Sequence, residues 1–206
     1  MNTPLITSSA APVHIAPGLT LHHELFDLAA AGVAEHLPDL KPLRPEDFFG
    51  TGWTLIPDEL TGEPYKAELV VSRTAGWTAK CNLWLAPDRR GGEVAKPHNH
   101  PWDFHSVTLG GLLVEDRVVL VDGEPVHSTG VEHRVGDVNR FGREVFHEVI
   151  DLEPRTLTLM MCGPGMNHWG YLDQQGRYSR AELPAGFRAR LRELNPHRPD
   201  LRRTAN

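Results

Sequence analysis

The sequence is poor in cysteine and has no long hydrophobic run, and both absences exclude classes of protein. Its 206 residues include only two cysteines, Cys81 and Cys162, which are too few for a disulfide framework and lack the spacing of a zinc clip. No stretch approaches the ~18 consecutive apolar residues of a membrane span. Residues 1–18 contain no lysine or arginine and no apolar segment of signal-peptide length. We therefore expect a cytoplasmic protein without a membrane partner.

An excess of positive charge is also absent. Lysine and arginine total 21 against 27 aspartates and glutamates, a formal net charge of −6, which disfavours nucleic acid as a partner. The local exception is the arginine-rich segment 187–206, which we interpret as a solvated helix followed by a tail. Glycine and proline, by contrast, are abundant at 19 and 17 residues, and this favours many turns and short strands over long helices.

Two terminal helices are predicted to flank a central region of strands. Apolar spacing and end signals indicate helices over 20–37 and 183–195. Between them lie strand-like runs at 65–73, 77–87, 104–109, 112–121, 145–152 and 155–161, with a hairpin turn at Asp122-Gly123. We expect one all-β domain, an antiparallel sandwich or small barrel over 53–180. Residues 1–52 then form an N-terminal arm and helix, and 181–206 a C-terminal helix and basic tail.

Twelve histidines are the unusual feature of the composition, and the chemistry concentrates around two of them. Residues i and i+2 of an extended strand point to the same face, so His98 and His100 present their imidazoles together. Such a pair holds a divalent metal through two nitrogens. An unpaired, solvent-exposed pair is the alternative. Pro97 and Pro101 bracket the pair and restrict its backbone. A third histidine, His147, lies in a later predicted strand.

The two histidine segments together resemble the two motifs of the cupin superfamily, G(x)5HxH(x)3–4E(x)6G and G(x)5PxG(x)2H(x)3N. Gly92 and Gly111 fit the glycines of the first motif, and Gly136 and His147 have the separation of the second. The resemblance implies a cupin-type antiparallel β-barrel, or jelly roll, and three metal ligands: His98, His100 and His147.

The sequence departs from these motifs at the fourth ligand. Phe104 stands where a cupin has its metal-binding glutamate, and a phenyl ring binds no metal. With four residues instead of three between His100 and the ligand, the ligand position is His105. A bulge after Pro101 would turn the neighbouring Asp103 inward. The fourth ligand is therefore Asp103, His105 or none, and the same two residues are the candidates for catalytic proton transfer. In the second motif, other residues replace the proline, glycine and asparagine: Gly142, Glu144 and Asp151.

A narrower resemblance covers residues 79–178. The stretch His-Asn-His-Pro-Trp-Asp-Phe, followed by Gly110-Gly111, is similar to a group of small bacterial single-domain cupins with an HxHPWDF motif. Gly163-Pro164 and the Trp169-Gly170-Tyr171 segment fit the same group. This resemblance implies a fold and a metal but no substrate, and the pairing habit of cupins implies a homodimer.

Five further side chains are candidates for substrate binding. Lys80 and Asn82 would anchor a carboxylate or carbonyl if they face the barrel interior, and otherwise they are exterior. Trp102 and Trp169 wall a pocket or belong to the core, and Tyr171 lies toward the barrel mouth. Four other histidines are interpreted as solvent-facing: His22, His23, His127 and His133.

These features favour a mononuclear metal-dependent cupin enzyme that acts on a small organic molecule. The resemblance favours a non-heme dioxygenase with Fe(II), in which dioxygen is a second partner; zinc, nickel, manganese and copper accept the same ligands. The alternatives are a Lewis-acid isomerase, lyase or cyclase, a non-catalytic metal-stabilised binding module, and a metal-free metabolite-binding cupin.

Overall fold

A computed structural model describes residues 11–166 and 168–202 of the chain, and antiparallel strands dominate it. The described residues form three α-helices and one 3-10 helix: α1 His23–His36, α2 Pro45–Phe48, α3 Phe187–Leu194 and the 3-10 turn Pro199–Arg202. The strands are β1 Val13–Ala16, β2 Leu19–Leu21, β3 Trp53–Pro57, β4 Pro64–Arg73, β5 Thr78–Trp84, β6 Phe104–Gly110, β7 Leu112–Val121, β8 Glu124–Arg134, β9 Val138–Phe141, β10 Phe146–Leu152, β11 Leu157–Cys162, β12 Gly170–Leu172 and β13 Tyr178–Arg180.

Two antiparallel sheets enclose the interior. The larger has the order β3-β4-β5-β11-β6-β9, and the smaller has the order β10-β7-β8. Strand β11 pairs with both β5 and β6. The strand after the second histidine motif therefore lies beside the two strands that precede and follow the first motif. Isolated bridges from His98 to His147 and from Asp88 to Val149 connect the chain before β6 to the smaller sheet. The predicted all-β antiparallel jelly roll is confirmed.

Each face of the larger sheet has a different environment. Successive residues of a strand point to opposite faces. One face carries buried apolar residues such as Leu69, Leu83 and Leu159, and helix α1 covers it with Leu25, Ala29 and Val33. The other face carries mostly polar residues, which turn toward the smaller sheet: Lys66, Glu68, Lys80, Asn82, Ser106, Thr108 and Thr158.

The N-terminal segment differs from the prediction. The irregular arm expected over 1–18 contains strand β1, which pairs with β2 across a turn at Gly18, where φ is +82°. Ala16, Leu19 and Leu21 are buried in the core beneath this hairpin, so apolar packing orders a segment with weak strand propensity. Residues 1–10 of the predicted arm lie outside the described residues, as do residues 203–206 of the predicted tail.

Strands β8 and β9 were not among the predicted strand-like runs. Strand β8 is an edge strand and is exposed over most of its length, so its sequence lacks the apolar alternation that marks a half-buried strand. Its pairing with β7 begins at the predicted Asp122-Gly123 turn. Among the described residues, no helix combines the length and the apolar character needed to cross a bilayer.

Asn195, the residue after α3, joins the C-terminal helix to the sheet. Its side chain is buried and donates to the backbone oxygens of Leu55 (2.8 Å) and Leu191 (2.7 Å). Its Oδ1 accepts from the Leu55 N–H at 2.7 Å. Three hydrogen bonds therefore depend on one amide that water does not reach.

We predict that Asn195→Ala lowers the free energy of unfolding by roughly 2–4 kcal/mol, because it removes these bonds and leaves buried backbone groups unpaired. Denaturant unfolding followed by circular dichroism measures the change. Arg188→Ala, at an exposed position of the same helix, is the control, and its free energy of unfolding should stay close to that of the parent protein. Equal stability of the two variants would contradict the anchoring role.

Candidate metal centre

Backbone pairing brings three histidines together between the two sheets. The His98 N–H donates to the His147 carbonyl at 3.0 Å, and the His147 N–H donates back at 2.8 Å. His100 follows two residues after His98 on the same side. One ring nitrogen from each histidine lies within 4.8 Å of the other two, and Nε2 of His100 is 2.9 Å from Nε2 of His147. The structure therefore assembles the three histidines that the two motifs contribute.

The donor atoms of this group suit a divalent metal. His98 is 1% exposed, and neither of its ring nitrogens has a hydrogen-bond partner. Buried polar atoms are almost always paired, so this imidazole has coordination capacity that the protein leaves unused. Burial, together with the charges of neighbouring groups, lowers the pKa of both His98 and His100 well below the usual value. Both rings are therefore neutral near pH 7, which is the form that binds metal.

A buried carboxylate fixes the third histidine. Glu115, on β7, accepts a hydrogen bond from Nδ1 of His147 at 2.8 Å through Oε2. With the proton held on Nδ1, the Nε2 lone pair of His147 faces His100. A carboxylate behind a ligand histidine fixes its tautomer and orientation and raises its basicity. Nothing in the two histidine motifs pointed to Glu115; the available signal was a charged residue at an inward position of an alternating strand.

The second oxygen of Glu115 is held by three side chains. Oε1 accepts from His133 Nε2 at 2.7 Å, Arg117 Nε at 2.7 Å and Asn139 Nδ2 at 3.0 Å. Burial raises the pKa of Glu115, but its hydrogen bonds with His133 and His147 and the charge of Arg117 outweigh that effect and lower it far below the usual value. The solvent-facing interpretation of His133 is therefore wrong: β8 turns this residue inward opposite Leu113.

Asp103 and His105, the predicted fourth ligands and proton-transfer residues, lie outside the group. Both are exposed, and Asp103 accepts from the backbone N–H of Arg143 at 2.9 Å and from its Nε at 3.3 Å. The inward position between them belongs to Phe104, whose ring packs edge-on against His100 at 5.0 Å. Strand alternation thus points Asp103 and His105 away from the histidines. Among the described residues, the group that could hold a metal ion contains three histidines and no fourth donor.

Lys80 and Asn82 face the interior, which decides between the two placements considered for them. They belong to a polar patch on β4 and β5, here called the inner wall: Lys66, Glu68, Lys80 and Asn82. Glu68 Oε1 lies 3.0 Å from Lys66 Nζ and 2.8 Å from Lys80 Nζ. A cavity of about 30 Å³ separates the Lys66 end of this wall from His100, His147 and Glu115.

The three aromatic candidates surround the histidine group. Trp102 stacks on His100 at 6.0 Å between ring centroids, and Trp169 packs edge-on against His98 at 6.3 Å. Tyr171 lies behind Trp169, and its hydroxyl donates to Glu59 Oε2 at 2.7 Å. The tryptophans thus shield two of the histidines from water, while the Tyr171 hydroxyl is already engaged.

Comparison with known proteins gives similarity in fold only. No protein-family model matches the chain, and no curated protein gives a significant sequence match. Among solved structures, the chain is similar to a sugar phosphate isomerase from a cupin superfamily of Silicibacter pomeroyi (14% identity, 62% of this chain and 85% of that one, TM-score 0.37). It is also similar to a protein with a cupin-like fold from Ralstonia eutropha (14% identity, 69% of this chain and 82% of that one, TM-score 0.39). A third similar structure is that of Streptomyces albus HEPD with Fe(II) bound (15% identity, 56% of this chain and 25% of that one, TM-score 0.39). None of these values assigns a reaction to this chain.

We predict that Glu115→Gln weakens metal affinity about tenfold or more, because His147 loses its charged partner and Arg117 loses its carboxylate partner. Competition with a chromophoric chelator measures the affinity without any assay of activity. The control is Glu132→Gln, an exposed glutamate on β8, which should bind metal as the parent protein does. Unchanged affinity in Glu115→Gln would contradict the role of this carboxylate.

The inner wall also predicts a pH dependence of stability. Burial raises the pKa of Glu68, but the charges and hydrogen bonds of Lys66 and Lys80 outweigh it and lower the pKa from 4.5 to about 2. The stabilisation is therefore complete above pH 4.5 and is lost as the pH falls toward about 2. We expect Glu68→Gln to lose less free energy of unfolding over this range than the parent protein. Glu153→Gln, at an exposed position, is the control and should show the same pH dependence of unfolding free energy as the parent protein. The prediction would be refuted if the curve for Glu68→Gln ran parallel to that of the parent protein.

Proposed function

We propose that this chain is a mononuclear metal-dependent enzyme acting on a small organic molecule, with His98, His100 and His147 as the metal ligands. One observation carries the proposal: three imidazole groups, two buried and one half-buried, converge within 4.8 Å, and those of His100 and His147 line an internal cavity. The unpaired ring nitrogens of His98 support it, because a ligand bond is the partner that these atoms lack.

The number of protein donors favours catalysis over a structural role. Structural zinc sites are closed by four protein ligands, whereas catalytic sites keep a position for water or substrate. Here the two candidates for a fourth ligand, Asp103 and His105, are exposed and lie outside the group. A three-histidine site therefore leaves room for a small molecule on its cavity side.

The resemblance of the two histidine motifs to cupins favours Fe(II) and a non-heme dioxygenase. Imidazole nitrogens suit iron, zinc, nickel and copper alike, and manganese remains an alternative. When bound, the metal supplies Lewis acidity and, if it is redox-active, the capacity to bind dioxygen beside the substrate. The same site with a redox-inert metal serves a Lewis-acid isomerase, lyase or cyclase. The homodimer and the cytoplasmic location remain predictions.

The chain's own residues prepare the site for this chemistry. Glu115 keeps the His147 proton on Nδ1. Phe104 and Trp102 cover two sides of His100 and keep bulk water from it. Behind His98, the carboxylate of Asp88 lies with Oδ2 3.8 Å from Nε2 and forms an ion pair with Arg90. These groups hold the imidazoles in position before any ligand binds, and such preorganisation lowers the cost of binding.

The metal content of the purified protein tests the proposal. We expect one divalent metal per chain, and loss of most of it in His147→Ala, because the group then has two donors. His127→Ala, at an exposed position on β8, is the control and should retain the metal. Unchanged metal content in His147→Ala would refute the three-histidine site. Oxygen consumption with a panel of small organic acids, measured with iron and with zinc, then separates a dioxygenase from a Lewis-acid enzyme.

A further inference from the structure

The inner wall carries more positive charge than its carboxylate neutralises. Lys66 and Lys80 both direct their ammonium groups to Oε1 of Glu68, and their side chains are only 10% and 12% exposed. The two carboxylates that line the cavity are Asp88, which shares Arg90 with Glu59, and Glu115, which pairs with Arg117. A buried charge is costly unless a partner compensates it. Two ammonium groups that share one carboxylate oxygen therefore leave a place for an anion.

The inner wall also contains an unpaired amide. Asn82 is fully buried, and its Oδ1 has no hydrogen-bond partner. Its Nδ2 has only a weak contact, 3.9 Å from Met160 Sδ. An unsatisfied buried amide costs roughly 1–3 kcal/mol, and rotation about its terminal bond lets it offer either an acceptor or a donor. A polar ligand group beside Lys80 would satisfy it.

The inner wall reaches the cavity beside the histidine group at one residue, Lys66. Lys66 lines it from β4, opposite His100 and His147. The Lys66 ammonium lies 5.2 Å from the Tyr65 ring and 5.5 Å from the Trp84 ring, so aromatic faces, not bulk water, surround it on those sides. The cavity volume is about 30 Å³, so the space between Lys66 and the two histidines is small. The single excess positive charge of the inner wall matches a singly charged carboxylate better than the more highly charged phosphate.

We propose that the inner wall binds the carboxylate of the substrate, so that the enzyme acts on an organic acid. Lys66 and Lys80 supply the positive charge, Asn82 hydrogen-bonds a further oxygen, and Glu68 holds the two ammonium groups side by side. The rest of the acid then extends toward His100 and His147. The identification of this carboxylate as the substrate's rests on the proposed function. Anion binding by the inner wall does not require the metal.

A titration with sodium acetate tests the inner wall directly. Acetate binding to the full-length, zinc-loaded protein is followed by NMR chemical shifts, with sodium phosphate and sodium chloride as comparison anions. We expect saturable acetate binding that Lys66→Met weakens about tenfold or more, because a charge-assisted hydrogen bond is lost. Glu68→Gln should bind acetate more tightly than the parent protein, because it removes the competing carboxylate. Lys41→Met, at an exposed lysine, should leave the affinity unchanged.

Opposite changes in acetate affinity in Lys66→Met and Glu68→Gln distinguish anion binding from a structural role, since damage to the fold would weaken acetate binding in both variants. If Lys66→Met fails to fold, Glu68→Gln still decides, and unchanged or weaker acetate binding in it overturns the proposal. Equal affinity for chloride or phosphate overturns the preference for carboxylate.

The same samples separate this inference from the proposed function. Metal content is measured in each, and acetate is titrated again after removal of zinc by a chelator. Acetate binding that persists without zinc supports the inner wall, whereas binding that disappears with zinc shows acetate as a metal ligand only and overturns it. Absence of metal from the parent protein refutes the proposed function, yet the titration of metal-free protein still tests the anion site.

Discussion

The division of the larger sheet into an apolar and a polar face underlies the rest of the structure. Helix α1 covers the apolar face, where Leu69, Leu83 and Leu159 are buried, and this packing supplies much of the hydrophobic stabilisation. The opposite face is therefore free to carry lysine, glutamate and asparagine side chains into the space between the sheets. A fold with its whole core between the two sheets would have no room for such charges.

Charge pairing makes this polar interior stable. The carboxylate of the inner wall and the two that line the cavity each have a cationic partner: Glu68 has two lysines, Asp88 has Arg90, and Glu115 has Arg117. His98 and His100 remain neutral because burial and neighbouring positive charges lower the pKa of both. The interior thus combines neutral imidazoles with a cationic wall, and this combination suits the metal and anion sites that we propose.

Much of the histidine group could be predicted from the chain because its spacing is local. His98 and His100 are two residues apart, and the turn at Gly136 precedes His147 by a fixed number of residues. The fourth ligand could not be predicted in the same way. Asp103, Phe104 and His105 are adjacent, and only the start of β6 at Phe104 decides that the phenylalanine points inward. Likewise, Glu115 and His133 become neighbours through the pairing of β7 with β8, in which a bulge shifts the register.

By itself the sequence determined six of the strands (β4, β5, β6, β7, β10 and β11), the terminal helices and the three-histidine pattern. Each of these follows from residue alternation, helix-end signals or fixed spacing within one segment. Tertiary structure decided which face of β5 is inside, and with it the role of Lys80 and Asn82. It also brought Lys66 and Glu68 from β4 to the same wall and Glu115 behind His147. Those relations join residues that are far apart in the chain, and they depend on strand register and on the helix that covers one face of the sheet.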